Sequence, residues 1–126
     1  MNVQRTVELD GKFIGHKTPV TCLQYSTNEL ISGSRDGTIM IWHTPTERMM
    51  RECKGHTSPV MCLQFDAVKV ISGGLNGIIM VHDIATGEAI VSLRGHENKV
   101  VALQFDSIQI LSISADNTMR YWEWVG

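Results

Sequence analysis

Apolar positions along this chain fall in short runs rather than at helical spacing, and the runs return at a fixed interval. Val20, Val60 and Val100 each open a first run, which continues as Leu23-Gln24-Tyr25, Leu63-Gln64-Phe65 and Leu103-Gln104-Phe105. A polar link leads to Leu30-Ile31, Val70-Ile71 and Ile110-Leu111, each followed by a serine, Ser32, Ser72 or Ser112. Third runs, Ile39–Trp42 and Ile78–Val81, are apolar without a break, as expected of strands covered on both faces. Fourth runs span Arg48–Lys54 and Ala89–Arg94. Short runs rich in Val and Ile, punctuated by turn residues, predict an all-β chain in which each interval supplies a four-stranded antiparallel sheet.

Turn residues sharpen that picture. Asp36-Gly37 and Asn76-Gly77 sit between the second and third runs, and Asp116-Asn117 holds the matching place less ideally. These dipeptides predict two-residue hairpins in which both central residues take positive φ. Gly-His recurs at 15–16, 55–56 and 95–96, 40 residues apart each time. Four strands per forty residues is the period of a propeller blade.

The Gly-His opening, the Asp-Gly turn and the Trp that follows the Asp resemble the WD40 repeat, in three copies over residues 15–126. The resemblance implies blades at 15–54, 55–94 and 95–126, with residues 1–14 as a strand that closes a neighbouring blade. The third repeat is expected to lack its outer strand. The closing pairs of the three repeats are Trp42-His43, His82-Asp83 and Trp122-Glu123, so the Trp-Asp dipeptide is never complete. The repeats look most like those of F-box substrate receptors. The family pattern implies a hydrogen-bond network in each well-formed blade. By position its members are His16, Ser34, Asp36 and Trp42 in the first, and His96, Ser114, Asp116 and Trp122 in the third. The middle repeat offers His56, Gly74, Asn76 and His82, and is expected to be the softest.

Composition narrows the function classes. With 43% hydrophobic and 19% charged residues the chain reads as a soluble globular domain, and a net charge of −2 gives no basic face for nucleic acid. No apolar run is long enough for a membrane helix, and no apolar signal core opens the chain. Three cysteines without a Cys-x-x-Cys pair argue against a disulfide or zinc framework and for the cytosol or nucleus. Cys22 and Cys62 share a repeat position and read as small buried hydrophobes. The five histidines show no metal-ligand spacing, and no cofactor is implied.

Ser34, His16 and Asp36 have the residue types of a hydrolytic triad, and a Ser/His hydrolase is the competing reading. Recurrence of the same types in the third repeat favours architecture. Phosphate-reading arginines of F-box receptors correspond to Thr21, Met61 and Val101, and to Arg35, Leu75 and Ala115; only Arg35 matches. Arg35, Met61, Leu75, Lys99 and Val101 instead form a mixed rim suited to a protein or peptide ligand. Three blades fall short of the usual ring, so self-association is expected, two chains giving six blades or three giving nine, the alternative being that the missing blades lie on another chain. The closing strand is expected within Val7–Leu9 or Lys12–Ile14.

Overall fold

The structure, a computed structural model, describes residues 11–125. Eleven strands make three antiparallel sheets, and no helix occurs among the described residues. The first sheet is β1 (Val20–Tyr25), β2 (Glu29–Ser34), β3 (Ile39–His43) and β4 (Arg48–Cys53), paired in that order. The second repeats it with β5 (Val60–Phe65), β6 (Lys69–Gly74), β7 (Ile79–Asp83) and β8 (Ala89–Leu93). The third holds β9 (Val100–Phe105), β10 (Gln109–Ser114) and β11 (Met119–Glu123), three strands among the described residues. Lys12–Ile14 makes no strand, and Val7–Leu9 lies outside the described residues.

The sheets stack face to face. Ile31, Ile39, Ile41 and Cys53 of the first meet Val60, Leu63 and Val70 of the second, all 3% exposed or less. Ile71, Ile79 and Val81 of the second meet Val100, Leu103 and Ile110 of the third. Side chains alternate across each strand, so one face of each blade serves the preceding joint and the other the next. The middle blade is therefore covered on both sides, and its third strand, β7, is buried from Ile79 to His82.

Two faces remain open. On the first blade Val20 and Leu23 are each 52% exposed, where Val60 and Leu63 are 0% and 3%. On the third, Leu111, Met119 and Tyr121 stand exposed in the places of buried Ile71, Ile79 and Val81.

The hairpins differ from expectation. Gly37 and Gly77 have φ of 88° and 86°, but Asp36 and Asn76 do not enter the positive region. Gly37 N–H returns to Ser34 O at 3.2 Å and Ser34 N–H to Thr38 O at 3.0 Å, so each loop is a turn closed by a left-handed residue. The aspartate and asparagine have a different task. Their side-chain oxygens accept the N–H two residues on, from Thr38 to Asp36 at 3.0 Å and from Ile78 to Asn76 at 3.3 Å. Asn117 takes the glycine place in the third blade, with φ of 71°.

Candidate functional site: blade clamps and an inner rim

The residues expected to form one network divide between two serines of the same strand. Ser32 accepts the indole N–H of Trp42 at 2.8 Å, and His16 Nε2 lies 2.6 Å from the same hydroxyl. The third blade repeats this through Ser112, with His96 Nε2 at 2.7 Å and Trp122 Nε1 at 3.2 Å. Ser34 and Ser114 are thus not the links between histidine and indole. Ser34 donates to Asp36 Oδ1, and Ser114 donates to Asn98 O at 3.1 Å.

The carboxylates hold the turn to the strand entry. Asp116 accepts Glu97 N–H at 2.9 Å and Thr118 N–H at 2.9 Å, and its Oδ2 is 3.4 Å from His96 Nδ1. Hydrogen bonds from the Thr118 hydroxyl and Glu97 N–H hold its carboxyl far below the usual carboxylate range. The Ser34 hydroxyl, followed by Thr38, holds Asp36 down to about 2. His16 Nδ1 is buried without a partner in the first blade.

In the middle blade half of the clamp survives. His56 Nε2 lies 2.7 Å from the Ser72 hydroxyl, as in the other two. His82, fully buried in the place of the indole, donates from Nε2 to Lys54 O at 2.7 Å instead. Burial, with His82 nearby, pushes His56 down to about 4. The glycine before each clamp histidine makes room for what lies across it. A Cβ on Gly15 would sit 2.7 Å from the Trp42 ring, and one on Gly95 would sit 2.9 Å from Trp122.

These contacts bear on the hydrolase reading. Ser34 is bound to Asp36, and His16 to a different serine. The third blade does align Ser112, His96 and Asp116 in triad order. Yet Ser112 is 1% exposed and its oxygen already receives the Trp122 indole. A nucleophile needs an open approach to its oxygen, and this hydroxyl has none. Among the described residues no cluster of three His, Cys, Asp or Glu side chains offers a metal site.

The expected ligand residues lie along the inner strands and the adjoining turns. Pairing runs from Val60 with Gly74 directly to Cys62 with Gly73, leaving Met61 as a bulge residue. Val101 is the bulge residue between Val100 and Ala102, and Thr21 the one between Val20 and Cys22. A bulge takes its side chain out of the two-face alternation and re-aims it. Met61 and Val101 accordingly line one hollow of about 240 Å³ across the three inner strands, with Gln24, Gln64 and Ala102. Thr21 donates instead to the Val60 carbonyl and ties two blades together. Arg35 and Leu75 are exposed at matching turns, their N–H groups bound to Pro19 O at 3.0 Å and Pro59 O at 2.9 Å. Lys99, half-buried, supplies the matching carbonyl in the third blade. None of these three lines the hollow.

A second hollow, of about 380 Å³, goes unanticipated from the sequence. Gln64, Phe65 and Asp66 line it with Gln104, Phe105 and Asp106 from the neighbouring blade. Lys69 bridges it, 2.8 Å from Asp66 and 5.0 Å from the Phe105 ring centre. The repeated Leu-Gln-Phe-Asp at the ends of β5 and β9 is the signal that marks it.

Known proteins share this architecture. The profile of the WD domain, G-beta repeat, matches residues 8–43, 47–83 and 87–123. A probable E3 ubiquitin ligase complex SCF subunit, sconB of Penicillium rubens, is 46% identical over 39 residues, covering 31% of this chain. That match spans 6% of the relative's own length. A chain in the crystal structure of a mitotic checkpoint complex superposes with a TM-score of 0.81 at 27% identity, over 87% of this chain and 35% of that one. The Gly-His openings, serine-centred clamps and four-stranded blades, together with the threefold profile match, show that the chain belongs to the WD40-repeat family.

Proposed function

We propose that this chain is a non-catalytic protein-interaction scaffold that binds a peptide or protein segment across its inner rim. The observation that carries the reading is the placement of Met61 and Val101 at bulges in adjacent inner strands, where both reach one hollow. Apolar side chains flanked by Arg35, Leu75 and Lys99 suit an extended segment with a few polar anchors. A lone arginine among the described residues does not make the convergent guanidinium site that phosphate recognition calls for, which favours an unphosphorylated ligand. An array of peptides with and without phosphate, probed with the wild-type chain and with Met61→Asp/Val101→Asp, tests this. Binding independent of phosphate and lost in the double variant is the expected result.

The exposed blade faces support a further part of the proposal, that the scaffold works inside a ring closed by blades outside residues 11–125. Apolar surface of that extent marks an interaction face. A second copy, giving six blades, or two more, giving nine, is one source of those blades where the joint between copies differs from those inside the chain. The likeness to an SCF subunit supports a second reading, substrate recognition in a ubiquitin ligase. A phosphate-dependent ligand on the array favours it. Free Cys22, Cys53 and Cys62 support a reducing compartment, cytosol or nucleus.

A further inference from the structure

Both joints inside the chain turn on a glycine. Gly33 in β2 lies against the next blade so closely that a Cβ there would fall 2.7 Å from Val60 Cγ1 and 2.9 Å from Cys22 Sγ. Gly73 in β6 repeats the arrangement, 2.6 Å from Val100 and 2.9 Å from Cys62 Sγ. The cysteines are the cross-strand neighbours of these glycines, and their thiols reach the next blade's backbone, Val60 O at 3.8 Å and Val100 O at 3.6 Å. Glycine, cysteine and the incoming valine thus form one fitted set, used twice.

The third blade changes the set. Its register places Ile113 opposite Ala102, where the other blades have glycine opposite cysteine. Bulk has moved from the first strand to the second: alanine stands in the place of the cysteine, and isoleucine in the place of the glycine. Ile113 is 45% exposed, beside Leu111 at 47% and Met119 at 76%. Where even a Cβ at Gly33 or Gly73 would meet a valine below ordinary contact distance, a whole isoleucine side chain cannot share the place with one. Val20, the corresponding residue of the first blade, is 52% exposed and pairs with Ser34 as Val100 pairs with Ser114.

We propose that the open face of the third blade receives a propeller blade whose inner strand carries glycine or alanine in the place of Val60 and Val100. It therefore rejects the first blade of a second copy in the geometry of the internal joints. Ile113 is the residue that sets this choice, and the proposal rests on the ring-closure reading above. A partner blade with a small residue there lets Ile113 fill the space that valine fills elsewhere.

Self-association of the full chain tests the rule, because Val20 can be made small. Dissociation constants are measured by sedimentation equilibrium for wild type, Val20→Gly, Ile113→Gly and the double variant, with circular dichroism as the fold control. Val20 and Ile113 are both about half exposed, so neither loss removes a buried core contact. Each single variant is expected to associate about tenfold more tightly than wild type or better, as one clash is relieved. The double variant leaves a void and is expected to associate more weakly than either single one. Wild type that associates as tightly as the single variants, or a double variant tighter than both, overturns the size rule while leaving ring closure standing. Absence of association in all four, the relieved single variants included, overturns the size rule.

Discussion

Trp42 and His16 meet on one oxygen: the Ser32 hydroxyl accepts the indole N–H at 2.8 Å and lies 2.6 Å from the imidazole Nε2. That oxygen is 16 residues from the histidine and 10 from the indole, so it joins the strand entry to the second and third strands of the blade. Removing it leaves a buried donor unpaired, whereas removing the Ser34 hydroxyl frees an exposed carboxylate to turn to water. Ser32→Ala is expected to cost about 1–3 kcal/mol, and Ser34→Ala less. Urea unfolding of the two variants side by side checks the order.

The His56 clamp makes stability depend on pH. Its folded pKa is about 4 against 6.5 for the free side chain, with burial the main cause. Between those values the unfolded chain binds the proton and the folded chain does not, so stability is full above 6.5 and falls as pH drops toward 4. The loss across the window is about 3 kcal/mol. His16, also lowered by burial, acts in the same direction. Unfolding midpoints at a series of pH values should fall through this window, and His56→Gln should flatten the dependence.

Gly37 and Asn117 hold equivalent left-handed turn positions with different residues, at φ of 88° and 71°. A Cβ on Gly37 would also meet His56 O of the next blade at 2.5 Å. Gly37→Ala is expected to cost more than about 1 kcal/mol. Asn117→Gly relieves strain and is expected to stabilise by less than about 1 kcal/mol. Thermal melts of the two variants should move in opposite directions.

Thiol reactivity reports on the joints. Burial pushes Cys53 up to about 11 and Cys62 up to about 12, and raises Cys22 as well. Thiolate is the reactive form, so all three should label slowly with a disulfide reagent at pH 8 in the folded chain. Denaturant should restore the rate of an ordinary thiol. Fast labelling of Cys62 in the native chain would show that the joint between the second and third blades opens.

Strand order and blade repeat are legible in the sequence because they rest on local signals. Val20–Tyr25 and Ala89–Leu93 announce themselves by apolar runs and bounding turns, and Arg48–Cys53 by its place in the repeat. The clamp serine is harder to read. Ser32 and Ser34 are two apart on one strand and point to the same face, so only the register, with Leu30 opposite Trp42, shows that the indole reaches Ser32. Turn chemistry misleads in another way, since Asp36-Gly37 also suits a loop in which the aspartate stays on the ordinary side of φ and caps Thr38. Bulges at Thr21, Met61 and Val101 carry no residue signature, and the hollow they shape is visible only in three dimensions.

We propose an inner rim that binds an unphosphorylated segment through Met61 and Val101, with the clamp serines serving the fold. The peptide array measured with wild type, Met61→Asp/Val101→Asp and Arg35→Ala tests it most directly. Phosphate-independent spots that disappear in the double variant and persist, at most weakened, in Arg35→Ala are the expected result. Spots that require phosphate and vanish with Arg35→Ala alone would contradict it.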